Sequence, residues 1–203
     1  MILAVALAAV AVAPPASDPG RGARLWTELG VGRYAASYEA NRGDDIGKTG
    51  IDGIALGIRA SLGFAARPGF IVGPTLGFAY ASTGTSGGIC CGTIKSLSSG
   101  RLGIEASWYP NPRVGFRVSG GFGVAVATLR PDTEARTLFG LGLYGAYYTV
   151  AIARDWAVGP RSRIGGVLRL ESDALTGGSD DHRYHLRSLT PSLSIVLLSN
   201  FAG

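Results

Sequence analysis

The sequence is short of charge. Of its 203 residues, 16% are Asp, Glu, Lys or Arg, whereas ordinary soluble domains carry roughly 25%. A chain of this length can bury a good core, but this one has too few charges to cover a surface in water. Its mean hydropathy of +0.24 points the same way. The composition therefore argues against an ordinary soluble domain.

Helix formers and long apolar runs are also scarce. One Met, few Lys and Glu, and 32 Gly scattered through the apolar segments argue against long helices. The longest unbroken apolar run, residues 2–13, is far shorter than the roughly 20 residues that a membrane-spanning helix requires. Its length suits a secretory signal, with small residues at Ala11 and Ala13 before a cleavage site. We expect residues 1–20 to be a signal peptide and short leader, and residues 21–203 to form one domain.

The sequence has instead a recurring alternation of large apolar residues with small or polar ones. Near the end of the chain Leu193, Ile195 and Leu197 alternate in this way, and the aromatic Phe201 follows. A period of two residues is that of a β-strand with two different faces. The sequence predicts eight such strands, at residues 24–40, 51–65, 70–81, 101–109, 113–129, 138–152, 163–171 and 183–201.

The connections between these strands are of two alternating kinds. Polar segments at 41–50, 82–99, 131–136 and 172–181 alternate with tighter turns at 66–69, 110–112 and 154–162. Such short links make successive strands antiparallel neighbours, because a parallel crossover takes a dozen or more residues. An even strand number with loops at one end is typical of barrels in bacterial outer membranes, whose short turns face the periplasm. We predict an all-β, eight-stranded, antiparallel up-and-down transmembrane barrel.

Each strand has one bulky face and one face of small or ionised residues. In the second strand, Ile54, Leu56 and Ile58 lie opposite Gly57 and Arg59. The lumen of an eight-stranded barrel is only wide enough for side chains to fill, which favours the small face inside and lipid outside. Periodicity alone leaves a second interpretation open, a soluble exported barrel whose greasy interior binds an apolar ligand.

Ionised residues on the small faces are the first candidate site. Ions in a narrow, partly dry lumen are costly unless they are paired. We therefore predict an interior Arg/Glu network that plugs the barrel, formed by Glu28, Arg59, Arg101, Glu105, Arg117, Arg163, Arg169 and Glu171.

Aromatic residues cluster at the ends of the strands that the topology assigns to the periplasm. Trp26, Trp108, Trp156 and Phe201 all fall there. Amphipathic rings prefer the boundary between hydrocarbon and headgroups. The sequence thus predicts an aromatic girdle where the barrel leaves the membrane on its periplasmic side.

Arg33 departs from the alternation. It shares its face with Leu29 and Val31, which we assign to lipid. Two placements are open: Arg33 extends toward the outer-leaflet phosphates, or a bulge at Gly30 or Gly32 turns it inward.

Cys90 and Cys91 are neighbours in the longest loop. Export favours oxidation, yet adjacent Cα atoms lie about 3.8 Å apart, closer than the usual disulfide range. Three outcomes are open: a strained loop disulfide, pairing between chains, or no role.

The eight strands, the secretory start and the C-terminal Leu193, Ile195, Leu197 and Phe201 resemble the small OmpA/OmpX-like outer-membrane β-barrel family, over residues 24–201. The resemblance implies the outer membrane of a Gram-negative bacterium, contact with its lipid and lipopolysaccharide, and folding by the barrel assembly machinery. Members act as adhesins, structural anchors or binding proteins, and a few are enzymes. We expect a monomer with a structural or surface-interaction role and an extracellular ligand that the sequence does not identify.

Signs of catalysis are limited to one end of the last strand. His182 and His185 are the two histidines of the chain, and they stand beside Asp180, Asp181 and Ser188. A barrel protease or lipid A deacylase would use such a histidine as its base, and an enzyme of this kind is the alternative. No second cluster of metal ligands and no phosphate-binding glycine loop accompanies them. We predict no enzyme activity, cofactor, metal or nucleic-acid partner.

Overall fold

The computed structural model describes residues 23–42, 45–86, 94–111, 114–131, 141–179 and 182–201. The expected signal segment and both cysteines, Cys90 and Cys91, lie outside these residues. The described chain forms eight strands, as predicted: β1 (Ala23–Arg42), β2 (Asp45–Arg67), β3 (Phe70–Ser86), β4 (Ile94–Trp108), β5 (Phe116–Pro131), β6 (Leu141–Ala157), β7 (Ser162–Ser179) and β8 (His182–Phe201). Within the same residues, no helix is long and apolar enough to cross a membrane.

The strands close into a barrel. Each is antiparallel to the next, and β8 returns to pair with β1 from Ala23 opposite Phe201 to Arg42 opposite His182. Closure leaves no sheet edge, so the backbone donors and acceptors of the strands are satisfied within the wall. The predicted meander is therefore confirmed.

Tight turns lie at the predicted end of the barrel. Pro68 and Gly69 connect β2 to β3, and Gly69 has a φ of 72°, a conformation that only glycine adopts without strain. Gly115 precedes β5 with a φ of 71°, and a Cβ there would lie 2.0 Å from the carbonyl oxygen of Asp155. Gly69 is thus required by its backbone conformation, and Gly115 by its backbone conformation and by the close approach of Asp155.

At the opposite end the strands run further than predicted. The segments 41–50 and 172–181 were expected to be loops, but β2 begins at Asp45 and β7 continues to Ser179. Polar residues can continue the ladder where water surrounds the wall, and Lys48 and Glu39 pair across β1 and β2 at 2.9 Å. Strands of 15 to 23 residues exceed the roughly 9 to 11 needed to cross a bilayer. The barrel therefore projects beyond the membrane at its loop end.

Two of the predicted boundaries are wrong for a similar reason. The fourth strand begins at Ile94 and the sixth ends at Ala157, whereas we expected residue 101 and residue 152. Both extensions consist mostly of polar and small residues, with Ile94, Leu97 and Trp156 as the exceptions, so a hydropathy pattern marks them only weakly as strand. Hydrogen bonding to an already formed neighbour extends them.

The alternation sorts the side chains as predicted. Leu29, Ile54 and Ile195 are between 63% and 68% exposed, and the same outward rows on all eight strands form an apolar belt. This arrangement excludes the soluble barrel with a greasy interior, because water would solvate this surface poorly.

The interior is layered from one end to the other. Along β7 the inward residues are Val167, then the charged Arg169, Glu171 and Asp173, then Leu175. Val167 belongs to a lower apolar cluster and Leu175 to an upper one. The upper cluster contains Tyr34, Tyr38, Ile51, Ala55, Ala81, Ile94, Leu97, Ala125, Ala127, Leu129, Leu143, Tyr147, Leu175 and Leu186. The lower cluster contains Trp26, Ile71, Tyr109, Ala151, Ala153, Val167, Val196 and Leu198.

Candidate functional site

The charged layer between the two apolar clusters is the candidate site. We call it the charged layer throughout. Its members come from β1, β2, β4, β5, β6 and β7, and each is at most 7% exposed. They are the arginines Arg59, Arg101, Arg117 and Arg169 with the carboxylates Glu28, Glu105, Asp155, Glu171 and Asp173.

Arg169 on β7 connects two carboxylates from distant strands. Its Nη2 donates to Oε1 and Oε2 of Glu28 at 2.9 and 3.0 Å. Its Nη1 donates to Oε2 of Glu105 at 3.1 Å and to the hydroxyl of Thr149 at 2.9 Å. Charge-assisted hydrogen bonds of this kind are the strong ones. Arg169 therefore ties β1, β4 and β6 to β7 across the lumen.

Arg101 on β4 makes a second connection, to two carboxylates of β7. Its Nε and Nη2 donate to the two oxygens of Asp173 at 3.0 and 2.7 Å. Its Nη1 donates to Glu171 at 2.8 Å. Arg59 on β2 donates to the other oxygen of Glu171, and the hydroxyl of Ser188 donates to Asp173 at 2.7 Å. Donors on three strands, β2, β4 and β8, therefore hold these two carboxylates.

Arg117 on β5 is held differently. Its side chain is fully buried, and its nitrogens lie 3.8 Å from Glu28, 3.8 Å from Glu105 and 3.6 Å from Asp155. None of the three nitrogens has a hydrogen-bond partner among the described residues. Its guanidinium lies 5.6 Å from the centre of the Trp26 ring, a cation–π distance. Coulombic attraction and this ring contact hold Arg117.

Trp26 requires a correction. We expected it in the membrane-interface girdle, but it is 2% exposed and lies inside the barrel. Its position, two residues before the inward Glu28, puts both on the same face of β1. Of the other predicted aromatics, Trp108 is 52% exposed on the outer wall and Trp156 is half-buried. The backbone of Phe201 pairs with Ala23 at the same end.

The structure brings seven of the eight predicted interior residues into the charged layer. The eighth, Arg163, is buried at 6% exposure, but none of the ion pairs within the described ranges includes it. Sequence reasoning missed Asp155 and Asp173. Asp173 shares a face with Arg169 and Glu171 at two-residue spacing, and this signal was available. It was overlooked because residues 172–181 were assigned to a loop.

The chemistry of the charged layer is that of mutual neutralisation. Arg59, Arg101 and Arg169 donate hydrogen bonds to the carboxylates, whereas Arg117 is held by charge and by the Trp26 ring. A cavity of about 40 Å³ lies beside Glu28, Arg59, Arg101, Arg169 and Glu171. Such a volume has room for a few water molecules only. The layer ties the strands together across the lumen.

Arg33 lies on the outer wall. The β1 and β2 ladder runs from Ala23 to Arg42 without a register shift, so no bulge turns Arg33 inward. Its Nη2 and Nε donate to the carboxylate of Asp52 at 2.6 and 3.2 Å. The outward placement is therefore the right one of the two, and Asp52 is a partner that the sequence did not suggest.

The candidate catalytic residues of β8 do not converge. Ser188 is buried in the lumen and hydrogen-bonded to Asp173, whereas His185 lies on the opposite face of the strand. A Ser/His pair between them is excluded because their side chains point to opposite sides of the wall. Asp180 and Asp181 lie outside the described residues. Within those that are described, no group of three metal-ligating side chains comes together.

Comparisons with known proteins reveal likeness in fold and none in sequence. No protein-family model matches the chain, and no curated protein matches it. The solved structure of the outer membrane protein OprG from Pseudomonas aeruginosa is similar, with a TM-score of 0.57 and 12% identity over 92% of this chain and all of that one. The solid-state NMR structure of the outer membrane protein AlkL in lipid bilayers has a TM-score of 0.50 and 12% identity, over 95% of this chain and 98% of that one.

The fold and the apolar belt together define the class of protein. The chain has the eight-stranded architecture of the small OmpA/OmpX-like outer-membrane barrels, which confirms the resemblance at the level of fold. Large apolar side chains surround its wall, as hydrocarbon surroundings require. It is an outer-membrane β-barrel, with a location in the outer membrane of a Gram-negative bacterium.

Proposed function

We propose that this protein is a non-enzymatic outer-membrane barrel with a closed lumen and a structural or surface-interaction role. The observation that carries the proposal is the layered interior, in which paired ions lie between two packed apolar clusters. A hydrated solute would have to break ion pairs and displace apolar side chains to pass. The lumen thus serves as a core that stabilises the wall.

The projecting strands support a role at the cell surface. Beyond the belt, β1 and β2 continue as a polar ribbon that carries Glu39 and Lys48 on its outer side. A rigid closed barrel is a suitable support for such an exposed ribbon. The same proposal includes two partners: the barrel assembly machinery, which would fold this protein, and an extracellular ligand, which would bind it.

Single-channel recording tests the closed lumen. We expect no steady conductance from the purified protein in a planar bilayer, because the charged layer and both apolar clusters obstruct the path. A general porin in the same bilayer verifies that an open pore is detected. A variant with Arg101 and Asp173 both changed to Ala should also stay closed, since the two apolar clusters remain. Steady large conductance of the wild-type protein would refute the plug.

A histidine variant tests the absence of catalysis. We expect His185→Ala to leave the outer-membrane lipid profile and the cleavage of peptide substrates unchanged, because His185 has no nucleophile on its own face of β8. The comparison is with cells that carry the wild-type gene and cells that lack it. Loss of a lipid product or of peptide cleavage in both the variant and the cells that lack the gene, but not in the wild type, would overturn this part of the proposal.

A further inference from the structure

The turn end of the lumen contains a buried positive charge without an ion-pair partner. Arg163, the second residue of β7, faces the lumen and is 6% exposed. Its Nη1 is shielded from solvent and has no hydrogen-bond partner among the described residues, and none of the ion pairs between those residues includes it. A guanidinium in this state has lost its hydration and receives no compensation for it. The charge of Arg163 therefore lacks a counter-ion in the described part of the chain.

The buried carboxylates are engaged by other arginines. Asp155, opposite Gly165 in the ladder, is the one nearest to Arg163 in the strand register, but it lies beyond ion-pair distance of Arg163. It is instead 3.6 Å from Arg117 and accepts a hydrogen bond from Tyr109 at 3.1 Å. Among the described residues, the buried ions are Arg24, Arg59, Arg101, Arg117, Arg163 and Arg169 with Glu28, Glu105, Asp155, Glu171 and Asp173. This part of the lumen thus holds one more arginine than carboxylates.

A second buried arginine, Arg24 on β1, increases the positive potential around Arg163. Both flank the inward face of β8, where Arg163 is opposite Leu198 and Arg24 is opposite Asn200. Their positive charges are close enough to repel each other. The Arg24 guanidinium lies 5.7 Å from the centre of the Tyr109 ring, a contact that orients it. An anion between the two guanidinium groups would relieve their repulsion and accept the hydrogen bonds that Arg163 Nη1 leaves unused.

We propose that Arg163 and Arg24 bind one small monovalent anion, of the size of chloride, inside the turn end of the barrel. Arg163 Nη1 is the principal donor, since guanidinium N–H groups make charge-assisted hydrogen bonds to anions. The two arginines are only 6% and 5% exposed, which favours a small ion over a larger phosphorylated or carboxylated solute. The turn end of such barrels faces the periplasm, from which the anion enters. This inference goes beyond the proposed function and depends on neither the surface ligand nor the absence of catalysis.

The chloride dependence of unfolding tests the proposal. The purified barrel in uncharged detergent micelles is unfolded with urea in sodium chloride and, at the same ionic strength, in sodium gluconate, whose anion is too large for a nearly closed site. A ligand that binds only the folded state raises the ratio of folded to unfolded protein about 100-fold at about 100 times its Kd. We expect a chloride-dependent rise of this kind in the wild type. Equal stability in the two salts would overturn the proposal.

Arg163→Met should abolish the difference between the two salts. In gluconate this variant should be at least as stable as the wild type, because it removes a buried charge that has no partner. A loss of stability in gluconate would mean that Arg163 is paired within the protein, for instance with Asp155, and would contradict the proposal. Arg163→Lys keeps the charge, so it should retain the chloride dependence with a higher Kd.

The matched control is Arg67→Met. Arg67 is an exposed arginine at the last position of β2, at the same end of the barrel. Its replacement removes the same charge from this end without altering the lumen. We expect the control to keep the full chloride effect. An equal loss in both variants would overturn the site, because the net charge of the turn end would then account for the effect.

Bromide, which replaces chloride and scatters X-rays anomalously, locates the site directly. Crystals of the wild type soaked in sodium bromide should give an anomalous difference peak beside Nη1 of Arg163, and crystals of Arg163→Met should give none there. Absence of the wild-type peak would contradict the proposal. Heat-modifiable migration of each variant verifies that it is folded. Single-channel recording is independent of these readouts, so failure of this site is distinguishable from failure of the proposed function.

Discussion

Two arginine–aspartate pairs of nearly the same geometry lie on opposite sides of the barrel wall. Outside, Arg33 donates to both oxygens of Asp52 at 2.6 and 3.2 Å. Inside, Arg101 donates to both oxygens of Asp173 at 2.7 and 3.0 Å. The outer pair has side chains 74% and 47% exposed, and the inner pair 4% and 3%.

The difference between these pairs is one of environment. An exposed ion can recover solvation when its partner is lost, so an exposed pair contributes little to stability. A buried ion without its partner has lost its solvation and receives nothing in return. The inner pair and its network should therefore tolerate single substitutions badly, whereas the outer pair should tolerate them well.

Glu105→Gln should have the largest effect. Glu105 faces Arg59, Arg117 and Arg169, and its side chain is fully buried. Neutralising it removes the carboxylate that faces these three buried guanidinium groups, so we expect a loss of about 3 to 5 kcal/mol in the free energy of unfolding. The measurement is urea unfolding in detergent micelles, followed by tryptophan fluorescence. Asp52→Asn is the exposed control, and a similar loss in both variants would mean that burial is not the cause.

Arg169→Met and Arg117→Met should differ from each other. Both arginines are buried, but Arg169 makes hydrogen bonds to Glu28, Glu105 and Thr149, whereas Arg117 makes none among the described residues. Since a hydrogen bond to a charged group contributes about 1.5 to 3 kcal/mol, the Arg169 variant should be less stable by at least that amount. The same unfolding experiment measures the difference. Equal losses would show that coulombic attraction alone stabilises the layer.

The smallest effect should come from the outer pair itself. A double-mutant cycle with Arg33→Gln and Asp52→Asn should give a coupling energy of about 0.2 to 1 kcal/mol, and added salt should reduce it. The parallel cycle with Arg101→Gln and Asp173→Asn should give about 2 to 3 kcal/mol and be insensitive to salt. Equal coupling energies in the two cycles would contradict the prediction, because they would mean that water does not screen the outer pair.

The sequence predicted much of the fold and part of the charged layer. The inward face of Arg59, Glu105 and Arg169 follows from the two-residue period, because neighbouring small residues mark the same face. The same period also places Trp26 and Asp173 on the inward face. Trp26 was assigned instead to the aromatic girdle, and Asp173 to a loop. The upper apolar cluster was not predicted, since Ile51 and Leu175 lie in or next to segments that were assigned to polar loops.

The sequence by itself determined which side of the wall most residues occupy, because the alternation of a strand is a local property of the chain. Only the tertiary structure decided which residues share a height. Arg169 meets Glu28, which is 141 positions away, and Arg33 meets Asp52 on the outer wall. These meetings depend on the register of the hydrogen-bonded ladders and on closure between β8 and β1, and neither is encoded in any single stretch of residues. For that reason the ionic faces were predictable and the ion pairs were not.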